Sequence, residues 1–392
     1  MILCKEKAVF KKVHIFANEE VMETTRRQSN FELLRIFAII MIILFHIQLK
    51  GSQPQLVADN GYFSQPIIFL RLILFEIGTP LGMIGNGLFI LISGYFMNTN
   101  LHIDTGKASK NLLLQLGFST IILILAYAVW VTFFKNETFY WDTITIDAFH
   151  NIGWFAGYYL FVIVIAKTFL NGYTAKLTQA QFKSLMLTVL AAATLKWSGE
   201  VLNNLASGLR TLAIGIFYFL MGGYIARYNP FKKLKTYTFF LVIAATFGIR
   251  FLSAFNRVSA AIDYFIKSKS EGSFTPSVQG YSNHEITVVI IAICLFELFR
   301  RWNIPYNAVI NFVGKSTLMI FFIHYNGFFQ SFYRNDNWME ALSNSVLLYC
   351  LKWLKWTAIA FAVGLAAYCL YTLLGKLLPR IRSWFVVQEP SE

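Results

Sequence analysis

The chain has 392 residues, of which 56% are hydrophobic, 17% aromatic and only 14% charged, and its mean hydropathy is +0.54. This composition excludes an ordinary soluble domain and defines a polytopic membrane protein. The net charge of +14 does not point to nucleic acid, because the basic residues fall in short clusters between apolar runs rather than on one soluble face.

Residues 1–30 form a polar, basic tail (KEKAVFKKVHIF, then TTRRQSN) with no apolar core followed by a small-residue cleavage site. No removable signal peptide is expected, and the first apolar run directs insertion. Ten apolar runs follow, near 31–49, 67–97, 112–134, 152–170, 183–198, 209–226, 237–255, 286–299, 308–329 and 347–374. Against the roughly 20 residues that cross a hydrocarbon core of about 30 Å, they predict an all-α, polytopic membrane bundle of about ten transmembrane helices. The second run is too long for one straight crossing and holds Arg71, Glu76, Pro80, Gly82, Gly85 and Gly87. It predicts an interfacial or kinked helix leading into a true span that ends in LFILISGYFM. The fifth and eighth runs are short enough to be buried or tilted. The chain thus divides into a basic tail (1–30), a membrane domain (31–374) and a C-terminal tail (375–392). Cys4 lies in the tail, and Cys294, Cys350 and Cys369 lie in or beside apolar runs with no CxxC pair. Neither a disulfide framework nor a metal site is expected.

Lysine and arginine alternate between connections. The N-terminal tail (Lys5, Lys7, Lys11, Lys12, Arg26, Arg27), the second loop (Lys107, Lys110), the fourth (Lys176), the sixth (Arg227, Lys232, Lys233, Lys235), the eighth (Arg300, Arg301) and the C-terminal tail (Lys376, Arg380, Arg382) share one side. The positive-inside rule makes that side cytoplasmic and places both termini there. The other connections are sparse or balanced, as in 256–285, where Arg257, Lys267 and Lys269 offset Asp263, Glu271 and Glu285.

The first run, FELLRIFAIIMIILFHIQL, carries Arg35 and His46 where ionisable side chains are costly and read as functional. Their separation of eleven residues is almost three helical turns, so both project from one face roughly 16 Å apart along the axis. Glu32 joins that stripe one turn earlier. Arg35 falls near the inner end of the span and His46 in its outer half, and His324 in LMIFFIHYNGF reaches a similar depth, so two imidazoles share one cavity in this reading. His150, His284 and Glu285 read first as polar loop at the outer surface. In SGYF (93–96) small residues suit close helix packing, and no glycine elbow marks Ser93 as a nucleophile. Trp154, Phe155, Tyr158 and Tyr159 suit an interfacial aromatic belt, or stacking against sugar rings if they face a cleft.

Several segments carry a resemblance in the same order and position: ELLRIFAIIMIILFH, with ten residues between arginine and histidine; ISGYFM; WFAGYYLF; FYFLMGGYIARY; and CLFELFRRWNIPYNAVINFVGKSTLMIFFIHYNGF. Together they resemble the integral-membrane acyltransferase 3 family, which includes bacterial polysaccharide O-acetyltransferases, over about residues 29–374. The resemblance implies a multi-pass enzyme of the bacterial cytoplasmic membrane. Such an enzyme transfers an acyl group, usually acetyl from cytosolic acetyl-CoA, to a glycan hydroxyl on or near the outer face, without a metal. It marks His46 as the essential histidine and Arg35 as its partner near the donor, with His324 orienting the acceptor or serving a second proton step.

Many relatives carry an arginine-rich segment after SGY. Here the loop reads NTNLHIDTGKASKN, leaving Lys107 and Lys110 as its basic candidates for holding CoA. Trp154, Tyr158 and Glu285 are the candidates for contacting the acceptor. The expected partners are the glycan acceptor, membrane lipids and polysaccharide-assembly proteins, with no nucleic acid. No appended soluble domain is expected after Leu374, so the membrane domain completes the transfer or hands its acyl group to a separate protein. His46 acts as general base, or as the nucleophile of an acyl-histidine intermediate. A transporter or flippase of a glycan or lipid-linked intermediate is the competing class, and an inactive scaffold is a third.

Overall fold

The computed structural model describes residues 27–58, 72–73, 78–98, 105–137, 154–195, 203–268 and 285–385. In chain order its helices are α1 (Ser29–Ile47), α2 (Gln53–Ala58), α3 (Leu81–Met97), α4 (Thr105–Val129), α5 (Trp154–Ile165), α6 (Asn171–Ala175), α7 (Gln179–Thr194), α8 (Asn203–Tyr228), α9 (Thr236–Ser268), α10 (Ile286–Arg301), α11 (Ala308–His324), α12 (Gly327–Arg334), α13 (Trp338–Asn344) and α14 (Val346–Phe385). π-helical turns join α1 to α2 (Gln48–Ser52), extend α4 (Trp130–Phe134) and join α5 to α6 (Ala166–Leu170). No strand occurs among the described residues.

Each of the ten predicted apolar runs coincides with a helix, although part of the second run, with Arg71 and Glu76, lies outside the described residues. Among the described residues, six helical runs are long and apolar enough to cross a membrane, and the α11–α12 pair makes a seventh if taken as one bent span. α3 is apolar but shorter.

Two boundaries differ from the sequence reading. The ninth run is not one continuous helix to residue 329, because the chain bends by 75° between α11 and α12, immediately after His324. The buried Asn326 stabilises the new start, its Oδ1 accepting from Phe328 N at 2.8 Å. The last helix also continues past residue 374 to Phe385.

A helix apolar all round must be shielded all round. α1 comes near that demand, packed by α3, α10, α11 and α14, with Leu34, Ala38, Ile39, Ile42 and Ile43 fully buried and Phe37 its one exposed residue. α4, α9 and α14 lie outside and expose Leu114, Ile121, Leu125, Phe240, Ile249, Leu252, Leu351 and Leu354. Apolar faces of this extent are stable only against lipid.

α3 and α8 meet in close backbone contact. A Cβ on Gly94 would overlap the Phe219 backbone carbonyl, and one on Gly222 would overlap the Leu91 carbonyl, so backbone rests on backbone. In lipid, helix association depends on such close packing. Gly94→Ala forces the two helices apart and is expected to cost about 1–3 kcal/mol, the usual range for overpacking. It should appear as a lower melting temperature of the purified protein in detergent.

At the end of α1 that carries His46, α12 and α13 form a cap. Gln55 holds it, donating from Nε2 to the carbonyls of Arg334 (3.0 Å) and Asp336 (2.7 Å) and accepting from Trp338 N (2.9 Å). Trp353 on α14 donates to the Leu44 carbonyl at 2.7 Å, fixing α14 against the same end.

Candidate active site

The site is built along one helix. Arg35 and Glu32 face each other one turn apart on α1, Arg35 Nη1 donating to Glu32 Oε1 at 2.6 Å. Arg27 Nη1 donates to the same oxygen at 2.9 Å. The Glu32 side chain is 4% exposed, and its Oε2 has no hydrogen-bond partner among the described residues. That oxygen lies where a Cβ on Gly314 would fall, so the glycine makes room for the carboxylate between α1 and α11. One buried carboxylate therefore orients two guanidiniums, and the cluster keeps a positive surplus.

A cavity of about 220 Å³ opens beside the cluster. α11 supplies one face at helical spacing, through Gly314, Lys315, Thr317, Leu318 and Phe321. The opposite walls are Arg27, Arg35, Phe89, Gln115, Phe155 and Tyr159. Cations thus mark one end and aromatic rings the other. Gln115 Oε1 is buried without a hydrogen-bond partner among the described residues.

Phe321 divides this cavity from a second pair of groups. Its ring meets Phe155 at 5.0 Å between centroids, and meets His324 and His46 edge-on at 5.4 and 6.5 Å. Both imidazoles are buried, at 4% exposure for His46 and 1% for His324. His46 Nδ1 and His324 Nε2 are 3.0 Å apart, and His324 Nδ1 is 3.0 Å from the Ile320 carbonyl oxygen. A carbonyl only accepts, so His324 Nδ1 carries a proton and, in the neutral ring, Nε2 is an acceptor. The proton between the rings therefore belongs to His46 Nδ1. That leaves the lone pair of His46 on Nε2, a fixed tautomer set by a backbone carbonyl through a second imidazole.

The other residues read from the sequence occupy varied positions. Lys107 and Lys110 are exposed on the first turns of α4, and neither lines this cavity. Trp154 opens α5. Tyr158 turns to α8 and donates to the Thr211 carbonyl at 2.9 Å, whereas its neighbours Phe155 and Tyr159 line the cavity. Glu285, the N-cap of α10, accepts from Arg250 Nη1 at 2.6 Å and from the Thr287 hydroxyl at 2.7 Å. Ser93 Oγ donates to the Phe89 carbonyl at 2.9 Å and lies 2.6 Å from the Tyr159 hydroxyl, consistent with a packing role. His150 and His284 lie outside the described residues.

Sequence reasoning passed over Gln115, Lys315 and Phe321. Gln115 had a signal, being a lone amide in the apolar stretch LLLQLGF. Phe321 had none, since one phenylalanine among 39 carries no mark.

The arginine–carboxylate cluster, the cavity and the imidazole pair thus lie along one helix of an integral-membrane helical bundle. The chain belongs to the acyltransferase 3 family, whose acyltransferase domain matches residues 28–375. No curated protein and no solved structure matches it.

Proposed function

We propose that the protein is a membrane O-acyltransferase that moves an acetyl group from cytosolic acetyl-CoA to a hydroxyl of a cell-surface or lipid-linked glycan. The single observation that carries this reading is the buried imidazole pair, with His46 Nδ1 3.0 Å from His324 Nε2 and His324 Nδ1 3.0 Å from the Ile320 carbonyl, an arrangement that leaves His46 Nε2 as a base. Membership of the acyltransferase 3 family supports the transfer class.

The acceptor hydroxyl gives its proton to His46 Nε2 as its oxygen attacks the thioester carbonyl carbon. The carbon–sulfur bond then breaks, and the departing CoA thiolate takes that proton from the imidazolium, which restores the neutral ring. His324 holds His46 in the working tautomer and accepts the Nδ1 hydrogen bond throughout. Arg35 and Arg27, preset by Glu32, supply charge-assisted contacts to the donor's phosphates at the cytoplasmic end. The narrow, largely apolar cavity suits the neutral pantetheine arm, and Gln115 Oε1 faces it as an acceptor for an amide N–H. Phe321 must turn aside for the thioester to meet His46.

The test is transfer by the purified protein in liposomes, with labelled acetyl-CoA on one side and the glycan fraction on the other. Label appearing as a glycan ester supports the reading. Glycan crossing without consumption of acetyl-CoA would replace it with transport. Arg35→Gln removes one charge-assisted contact and is expected to raise KM for acetyl-CoA about tenfold, corresponding to roughly 1.4 kcal/mol. Steady-state kinetics in the same vesicles check this.

A further inference from the structure

A second, roomier cavity of about 420 Å³ lies between the start of α1 and the linker after α10, lined in part by Arg27, Arg300, Arg301, Trp302 and Tyr306. Arg27 also lines the first cavity, so one guanidinium borders both. We propose that this second cavity seats the phosphorylated adenosine of the acyl donor's nucleotide head, whose diphosphate reaches Arg27 and Arg35 while the donor's arm runs on toward His46. The inference rests on the acetyl-CoA reading above and adds the location of the head.

Charge comes first. Glu297 is fully buried and accepts from Arg300 Nε and Nη2, both at 2.9 Å, and from Arg301 Nε at 3.3 Å. Arg300 Nη2 also donates to Asn229 Oδ1 at 2.7 Å, and Arg301 donates to the carbonyls of Leu234 and Phe231, each at 2.6 Å. These guanidiniums are locked in place. Among the described residues, two carboxylates, Glu32 and Glu297, thus hold four arginines around the two cavities, leaving a surplus of two positive charges. A preorganised cationic surface without enough carboxylate to neutralise it suits a multiply charged anion.

Shape comes second. Trp302 and Tyr306 line the same cavity and are 56% and 49% exposed. Their rings offer planar surface for a base beside the charges that would hold its phosphates. A free phosphate uses the charge but not the rings. A lipid headgroup also uses the charge, but it has neither a base to stack nor an arm that enters the first cavity.

The experiment compares two donors in nanodiscs: acetyl-CoA and acetyl-pantetheine, which keeps the thioester arm but lacks the head. Trp302→Ala and Tyr306→Ala are expected to raise KM for acetyl-CoA about tenfold more than KM for acetyl-pantetheine, the loss of one stacked base. Adenosine 3′,5′-bisphosphate should compete with acetyl-CoA in the native protein and about tenfold more weakly in the variants. Equal effects on both donors, or none, overturn the location of the head. The location is also overturned if the variants act only in phosphatidylglycerol-containing discs and not in pure phosphatidylcholine, which would make the cavity a lipid-headgroup site. Failure of the native protein to use either donor would instead remove the acetyl-CoA reading itself.

Discussion

His46→Asn is expected to lower acyl transfer by about 10²–10⁴ while the protein keeps its fold, the range a positioned acid–base group supplies. The choice of asparagine follows from the geometry, since its amide nitrogen is bonded to Cγ as Nδ1 is. His46 Nδ1–H donates to His324 Nε2 at 3.0 Å, and an amide N–H at that position can still donate, so the buried acceptor on His324 keeps a partner. What disappears is the lone pair on the far nitrogen. His46→Ala removes both, and the orphaned His324 Nε2 adds a desolvation cost of about 1–3 kcal/mol, so its loss of activity mixes chemistry with stability. Measuring transfer and melting temperature for both variants separates the two effects. Transfer near the native rate by His46→Asn would eliminate the general-base role and the mechanism built on it.

Much of the architecture was readable because lipid imposes its own rule. Backbone groups must be satisfied within the segment, so long apolar runs become helices, and the described residues of the ten runs are almost all helical. The packed position of α1 was not readable, since its apolar residues look like those of α4 or α9. What separates α1 from those two is how much of it is buried: 61% of its apolar window, a share α8 matches, against 17% and 22%. Bends were also hidden. The π turn after His46 and the 75° break after His324 depend on tertiary partners such as Gln55 and the capping Asn326.

At the site, the rule that ionisable groups in membrane spans deserve notice located Arg35, His46 and His324, and equal depth brought the two imidazoles together. It did not foresee that Phe321 stands between them and the cavity. The positive-inside count treated Arg300 and Arg301 as orientation signals alone. Their buried partner Glu297, three and four residues earlier in FELFRR, was available at helical spacing and was passed over.

Glu297→Ala is expected to destabilise the protein by about 3 kcal/mol or more, the largest folding effect of any substitution considered. The carboxylate is 0% exposed and serves two guanidiniums whose side chains are 17% and 19% exposed. Removing one partner of a buried ion pair typically costs about 3–5 kcal/mol, because the charge left behind stays desolvated. The modest exposure of both arginines lets water offset part of that cost and places the value toward the lower end. Glu297→Gln keeps an acceptor oxygen and the packing volume, so its cost should fall between those of the native protein and the alanine variant. Thermal unfolding of the three proteins in one detergent orders them. The same substitution frees Arg300 and Arg301 from a fixed position without removing their charge. If the Arg300–Arg301 pair floors the donor's head site, Glu297→Gln should weaken acetyl-CoA more than acetyl-pantetheine. A melting temperature unchanged by Glu297→Ala would mean that both guanidiniums are well hydrated without their carboxylate, and the cluster would then be neither a structural clamp nor a preset anion site.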